Sequence, residues 1–182
     1  MKVLFVEPPK SFWFVMGEYM PPPLGILQLA AYLESQNEAW DIRVLDSQAE
    51  DFGWKKLENY LEQAQPDVVV LSALATCNTF TILRTLGIAK KVNPMVKTVV
   101  GGQHFTALAG ESLETYGEID FVVRGEGEIT LHELVKSLDE DILPFDVKGL
   151  SWRNDDKIIH NPPRPLISNL DDLPLPGYHF VG

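Results

Sequence analysis

Three short stretches of small and polar residues each follow a predicted apolar strand. They are residues 72–79, 101–104 and 124–128. Small side chains and paired glycines let a ligand approach the backbone closely, and hydroxyl groups offer hydrogen bonds. One such stretch alone is also typical of an ordinary turn. Three together favour a groove for a large flat or extended ligand.

Two features with catalytic potential have simpler interpretations. Glu126 and Glu128 form a carboxylate pair, but they lie at a predicted helix start, where negative charge is stabilised. Cys77 is the only cysteine, so it forms no internal disulfide and holds no iron–sulfur cluster, which needs several thiolates. With no base beside it in the sequence, we interpret Cys77 as a buried structural thiol. We therefore predict no catalytic residue and no metal ligand here.

The elements that must position these stretches alternate between short apolar runs and amphipathic segments. Strands are predicted at about residues 3–6, 41–46, 68–73, 96–100 and 119–123, and helices at about 21–35, 54–61, 80–92, 107–116 and 128–138. This alternation predicts an α/β fold, a five-stranded parallel doubly wound sheet of flavodoxin-like or Rossmann-like type with helices on both faces. Such sheets bind ligands at the carboxyl ends of their strands, where the three stretches lie.

The pattern changes after residue 139. Residues 147–153 and 157–160, joined by a turn, predict a small hairpin, and the proline-rich stretch from residue 161 predicts an extended linker. We therefore divide the chain into an α/β domain at 1–140, a hairpin extension at 141–161 and a linker at 162–182.

Composition argues against several classes of protein. The net charge of −11 and the pI of about 4.7 would repel phosphate backbones, so we predict no nucleic-acid partner. No apolar run reaches the roughly 18 residues that a membrane span needs, so we predict no membrane partner. The first apolar run is too short for a signal peptide and is interpreted as a strand, which favours a cytoplasmic location.

The strand ends resemble part of a known cobalamin-binding pattern. Cobalamin-dependent mutases and methionine synthase share Asp-x-His-x-x-Gly, then Ser-x-Leu, then Gly-Gly. Here Ser72 and Leu74 match the second element, and Gly101 and Gly102 match the third after 26 intervening residues. The register thus agrees with a cobalamin-binding fold.

The first element of that pattern is replaced. Counting back 41 residues from Ser72 places it on residues 25–30, so Gly25 stands in place of the aspartate and Leu27 in place of the histidine that binds cobalt. Leucine has no lone pair to donate. The resemblance therefore implies base-off binding, in which the cofactor's own base is away from cobalt, without the usual histidine ligand.

A second resemblance covers nearly the whole chain. Its motifs lie at residues 7–9, 22–33, 101–106, 120–128, 148–150 and 170–176. They resemble the N-terminal cobalamin-binding domains of cobalamin-dependent radical S-adenosylmethionine enzymes, which include the anaerobic magnesium-protoporphyrin monomethyl ester cyclase and many methyltransferases. The family's Cys-x-x-x-Cys-x-x-Cys motif would follow residue 176.

This resemblance implies a division of labour between two domains. The chain would bind cobalamin and would not be catalytic alone. A C-terminal radical S-adenosylmethionine domain of the same parent chain would hold the 4Fe-4S cluster and S-adenosylmethionine. The parent would carry out methyl transfer or ring cyclisation on an unknown substrate.

The resemblance also implies which residues bind the cofactor. Those expected to line the slot for the nucleotide tail are Ser72, Leu74, Thr76 and Thr79. Those expected to let the tail pass or to flank the base and corrin edge are Gly101, Gly102, Gly125, Glu126 and Gly127. Those expected beneath the corrin are Pro8, Pro9, residues 19–25 and Leu27. His104 would contact the corrin side or the tail, or else be a loop histidine satisfied by backbone.

Three alternatives stay open on the sequence alone. A nucleotide- or flavin-binding domain would have Gly-x-Gly-x-x-Gly after the first strand, where this chain has Glu-Pro-Pro-Lys. A receiver-type regulatory domain would need clustered acidic residues there and a lysine after the fifth strand, whereas the chain has Glu7 alone and Arg124. The third is a relic domain of cobalamin-binding ancestry, which the lost histidine motif permits.

Overall fold

A computed structural model describes residues 1–9, 21–36 and 39–181. Its strands are β1 (Lys2–Glu7), β2 (Asp41–Asp46), β3 (Val68–Ser72), β4 (Lys97–Gly101), β5 (Phe121–Val123), β6 (Leu150–Asn154) and β7 (Lys157–His160). Its α-helices are α1 (Leu24–Ser35), α2 (Trp54–Ala64), α3 (Thr79–Val92), α4 (Gln103–Ala107), α5 (Ala109–Thr115) and α6 (Glu128–Asp139). None of the helices in these ranges is long and apolar enough to cross a bilayer.

The strands form one sheet in the order β2-β1-β3-β4-β5-β6-β7. The first five are parallel, which confirms the predicted doubly wound fold. The predicted hairpin extends the same sheet to seven strands, because β6 pairs antiparallel with β5 and β7 with β6. The order of the parallel strands reverses between β1 and β3, and sheets of this order bind ligands at the carboxyl ends near such a reversal.

Helices cover both faces of the sheet. In β3, Val68 and Val70 pack in the cluster that includes α1 and α6, whereas Val69 and Leu71 pack in the cluster that includes α2, α3 and α5. Successive side chains of a strand point to opposite faces. Because both faces of β3 are covered, its sequence is a continuous apolar run.

The helix predicted at residues 107–116 is divided in the structure. The helices α4 and α5 are separated at Leu108, whose φ of −119° and ψ of 33° are not helical. The sequence pattern did not predict α4 because this single turn buries only Phe105. A single buried position has no helical periodicity.

The segment after β7 packs back on the domain, and we call residues 161–181 the strap. Its Arg164 forms an ion pair with Glu133 of α6. Farther along, the carbonyl oxygen of Pro174 accepts a hydrogen bond of 2.8 Å from Nε2 of Gln28 in α1. Phe180 packs against the core beneath α1 and α6. The strap is extended, as predicted, but it joins these two helices. The division into domains and a linker toward a further domain stays a prediction.

Asn161, at the start of the strap, fastens the hairpin to the chain around it. Its side chain donates to the carbonyl oxygens of Pro144 at 2.6 Å and Val147 at 2.8 Å, and accepts from Nε1 of Trp152 at 3.3 Å. The residue is only 4% exposed. We expect Asn161→Ala to lower the free energy of unfolding by about 3 kcal/mol, because these buried groups lose their partner. Urea denaturation would measure the change.

Asn169→Ala is the control for that variant. Asn169 is exposed on the strap, where its side chain accepts a hydrogen bond from the backbone N–H of Asp171. Its loss is expected to cost no more than about 1 kcal/mol. Equal losses in the two variants would mean that water replaces the Asn161 amide and would contradict the expectation.

Candidate functional site

A pocket of about 190 Å³ lies at the carboxyl ends of β3, β4 and β5, beside the first turns of α1 and α6. The strand residues in its lining include Val70, Ser72, Val99, Gly101 and Val123. The helices and their preceding turns contribute Gly25, Leu29, Gly102, Gly125, Glu126, Gly127, Glu128 and Leu131. Two of the three stretches singled out in the sequence thus meet at one cavity, and the third contributes Ser72.

Gly102 lets the chain turn sharply from β4 into α4 against the end of β3. Its φ of +88° with ψ of −179° is a conformation that side-chain-bearing residues rarely adopt. A Cβ at this position would lie 2.4 Å from the carbonyl oxygen of Ala73 and 2.9 Å from Oγ of Ser72. Only glycine fits both the turn and the close approach of the two strand ends.

Gly127 keeps open the gap between α1 and α6. A Cβ there would lie 3.0 Å from Cδ2 of Leu29 and 3.5 Å from Cγ1 of Val123, and both of these residues line the pocket. Any larger side chain would therefore narrow the cavity. On the α1 side, a Cβ at Gly25 would have no neighbour within 4 Å among the residues that the structure describes.

The size and lining of the pocket restrict what it can hold. Side chains of Val70, Val99, Val123 and Leu131 belong to the core between the sheet and α1 and α6, so the interior is apolar. An apolar cavity of about 150 Å³ accommodates benzene. The pocket is therefore large enough for a flat aromatic ring system and too small to enclose a macrocycle.

The carboxylates at the start of α6 have different environments. Glu126 accepts a hydrogen bond from the backbone N–H of Ile167, so it ties the strap to the edge of the pocket. Glu128 is the first residue of α6, and its Oε2 is buried without a hydrogen-bond partner in the described ranges. The sequence predicted that Glu126 and Glu128 lie at a helix start, but it did not predict that their carboxylates have different environments.

The charges near Glu128 also affect Tyr32 on α1. Burial raises the pKa of the Tyr32 phenol, and the negative charges of Glu128 and Glu133 raise that pKa further. The positive charge of Arg164 on the strap opposes this effect. The α1, α6 and strap surfaces thus share one charged cluster beside the pocket.

The predicted binding residues fall into three groups in the structure. Seven of them line the pocket: Gly25, Ser72, Gly101, Gly102, Gly125, Glu126 and Gly127. Four lie outside it, on the loop after β3 and the starts of α3 and α4: Leu74, Thr76, Thr79 and His104. Three are buried away from it: Pro8, Pro9 and Leu27. Of the predicted segment 19–25, residues 19 and 20 lie outside the described residues.

The group outside the pocket forms a rim at the same edge of the sheet, in which Leu74 and Thr76 are exposed and Thr79 and His104 are partly buried. Leu74 is 77% exposed, and the Nδ1 atom of His104 lies 3.2 Å from Oγ1 of Thr76. The interpretation of Cys77 as a buried thiol is wrong, because this residue is exposed on the same loop. It lies in a short 3₁₀ turn, Thr76–Asn78, that buries no side chain.

Leu27, predicted beneath the corrin, belongs to the core instead of the rim. It is fully buried beneath α1, and its carbonyl oxygen accepts a hydrogen bond of 3.1 Å from the N–H of Gly177 in the strap. Seven apolar lining residues were not among the predicted binding residues: Leu29, Val70, Leu71, Val99, Val100, Val123 and Leu131. Five of them lie at the ends of predicted strands, and that position was the available signal.

Comparison with known proteins agrees with the geometry. Residues 16–135 match the family described as B12 binding domain. An uncharacterised methyltransferase of Pyrococcus horikoshii is 35% identical over 100% of this chain and 39% of its own length. The anaerobic magnesium-protoporphyrin IX monomethyl ester cyclase of Rubrivivax gelatinosus is 32% identical over 95% of this chain and 32% of its own length.

Solved structures share the fold at lower sequence identity. The radical S-adenosylmethionine methyltransferase TsrM from Kitasatospora setae, with cobalamin and a [4Fe-4S] cluster bound, superposes with a TM-score of 0.73 at 21% identity. This match covers 97% of the present chain and 31% of TsrM. OxsB with aqua-cobalamin and S-adenosylmethionine bound gives a TM-score of 0.68 at 22% identity, over 91% of this chain and 22% of OxsB. The chain spans well under half the length of the relatives it matches.

Proposed function

Because the chain belongs to the B12-binding domain family, its cofactor is cobalamin, and we propose that it is the cobalamin-binding domain of a radical S-adenosylmethionine enzyme. The observation that supports the site is the apolar pocket at the ends of β3, β4 and β5. It is large enough for an aromatic base and too small to enclose a macrocycle. We therefore assign the pocket to the base of the nucleotide tail and the exposed edge of the sheet to the corrin.

The proposed arrangement uses the residues in two groups. Gly101, Gly102 and Gly127 give the tail access to the pocket, and Ser72 offers a hydroxyl beside Gly102. Leu74, with Thr76, Thr79 and His104, belongs to the rim that would face the corrin. Bound cobalamin supplies the methyl-carrying or radical chemistry, while the protein binds and orients it.

A base held in this pocket would be away from cobalt, so we propose base-off binding. Leu27, which occupies the register position of the usual histidine ligand, is a buried core residue without a lone pair. Pro8 and Pro9 are also buried, at the end of β1. We therefore propose that the protein supplies no cobalt ligand from position 27, where the related proteins have a histidine.

We propose that a C-terminal radical S-adenosylmethionine domain in the same parent chain carries the 4Fe-4S cluster and S-adenosylmethionine. The longer relatives support this, since this chain covers 39% and 32% of two of them. One of these relatives is a methyltransferase and the other a cyclase, which supports methyl transfer or ring cyclisation by the parent. The domain alone would then bind cofactor without catalysis. The cytoplasmic location stays a prediction. A relic nucleotide-binding or regulatory domain is not favoured.

Retention of cobalamin tests the proposal. The purified chain is mixed with hydroxocobalamin, desalted, and its visible spectrum recorded before and after reduction. We expect about one cobalamin per chain with a base-off spectrum, because the pocket removes the base from cobalt. Cobinamide, which lacks the nucleotide tail, is the control ligand, and the chain should retain less of it than of cobalamin. A colourless protein with a native circular dichroism spectrum would contradict binding by this domain alone, and a base-on spectrum would contradict the assignment of the pocket.

A further inference from the structure

Glu128 has a charged oxygen in an unusual place. The residue lines the apolar pocket, and its Oε2 is buried with no hydrogen-bond partner among the residues that the structure describes. A buried carboxylate oxygen without a donor is costly, and such groups are uncommon in folded proteins. The start of α6 stabilises the negative charge but does not give this atom a hydrogen bond.

The described groups around the start of α6 have other partners. Glu126 accepts a hydrogen bond from the backbone N–H of Ile167. Arg164, whose charge acts on Tyr32 as that of Glu128 does, donates to Oγ1 of Thr130 and pairs with Glu133. Tyr32 interacts with Glu128 through charge, but no hydrogen bond joins the two in the described structure.

We infer that Glu128 recognises the nucleotide tail by accepting a hydrogen bond from an N–H or O–H group on it. This inference rests on the proposed function. The tail carries two kinds of donor, a ribose hydroxyl and, when protonated, a ring nitrogen of its base. Its phosphate is excluded as the neighbour, because two negative charges would repel each other. Glu128 thus gives the apolar pocket its preference for cobalamin over corrinoids that lack a tail.

The test compares the affinities of each variant for cobalamin and cobinamide. In Glu128→Leu, we expect the dissociation constant for cobalamin to rise about tenfold, as for loss of a hydrogen bond to a charged group. The constant for cobinamide should not change. Glu128→Gln keeps an acceptor oxygen and should lose less. Glu111→Gln, which removes a helix-start carboxylate from α5, is the control and should behave as wild type.

The stability of the free protein gives a second readout. Removing an unsatisfied buried carboxylate should leave Glu128→Leu at least as resistant to urea as wild type, although it binds cobalamin more weakly. A merely structural glutamate would show the opposite, with lower stability and equal losses for both corrinoids. That result would overturn the inference. If the wild-type chain binds neither corrinoid, the proposed function itself fails.

The pH dependence distinguishes the two donors. A ring N–H exists only while the base is protonated, so its effect would fade as the pH rises, whereas a hydroxyl would act equally throughout. Charged and ionisable groups near Glu128 on the packed elements include Tyr32 on α1, Glu126 before α6, His132 and Glu133 on α6, and Arg164 on the strap. A pH effect on the protein alone would act on both corrinoids, so the ratio of the two affinities is measured. An effect of Glu128→Leu on this ratio at any pH supports the inference, and none at every pH overturns it.

Discussion

Gly25→Trp is expected to abolish retention of cobalamin without damage to the fold. Gly25 lies in the first turn of α1 and lines the pocket, and a Cβ there would meet no described residue within 4 Å. We therefore expect an indole ring at this position to cover the pocket while α1 keeps its backbone. We expect affinity to fall at least about a hundredfold, or about 2.7 kcal/mol. Equilibrium titration followed by visible absorption would measure it.

Gly87→Trp provides the matched control. Gly87 lies in α3, which packs on the other face of the sheet, and a Cβ there also has no neighbour within 4 Å. Both substitutions replace a helical glycine, so both should leave thermal stability nearly unchanged or raise it slightly. If Gly25→Trp and Gly87→Trp bind cobalamin equally well, the cofactor does not use this pocket.

Gly102→Ala is expected to cost at least about 3 kcal/mol of stability. The φ of +88° with ψ of −179° is nearly restricted to glycine, and the new Cβ would meet the carbonyl oxygen of Ala73 at 2.4 Å. Relief requires the ends of β3 and β4 to separate. Thermal unfolding would show a loss of about 10 °C for a domain of this size.

Gly117→Ala is the control for adding a methyl group to a glycine without a close contact. A Cβ at Gly117 would meet no described residue within 4 Å. This variant should change stability by less than about 1 kcal/mol. A similar small change for Gly102→Ala would show that the β3–β4 junction relaxes at little cost. Because a substitution at Gly102 is expected to destabilise the fold, loss of cobalamin by a bulky variant there would not show that the cofactor uses the pocket. Gly25 is the better position for that purpose.

The sequence was sufficient to predict the parallel sheet because strands buried on both faces consist of continuous apolar residues. The continuous apolar run Val68–Leu71 predicts a strand covered on both faces, and each side of β3 does pack against helices. Strand-end glycines also predicted the edge that carries the pocket. The alternation of strands with helices and the apolar composition of each strand are local properties, so they can be recognised in a single sequence.

The shape of the pocket depends on contacts that local patterns do not contain. Val99 and Leu131 line it only because the assembled fold brings the end of β4 and the first turn of α6 to the same cavity. Ser72 faces the pocket but Leu74, two residues later, is 77% exposed, because the chain leaves the strand between them. The strap has no apolar periodicity, and it is held by hydrogen bonds, one ion pair and the packing of Phe180 against distant parts of the chain. Such contacts follow from the assembled fold.

The strap has a consequence for the order in which the molecule matures. The bond between Gln28 and Pro174 joins residues 146 positions apart, and the N–H of Gly177 reaches back to the carbonyl oxygen of Leu27. During synthesis α1 is made early, but its outer surface stays uncovered until the ribosome has released the strap. Closing so large a loop is entropically unfavourable until the sheet has already brought its ends together. A newly made chain therefore passes through a stage in which α1 and α6 are in place but the strap has not yet joined them.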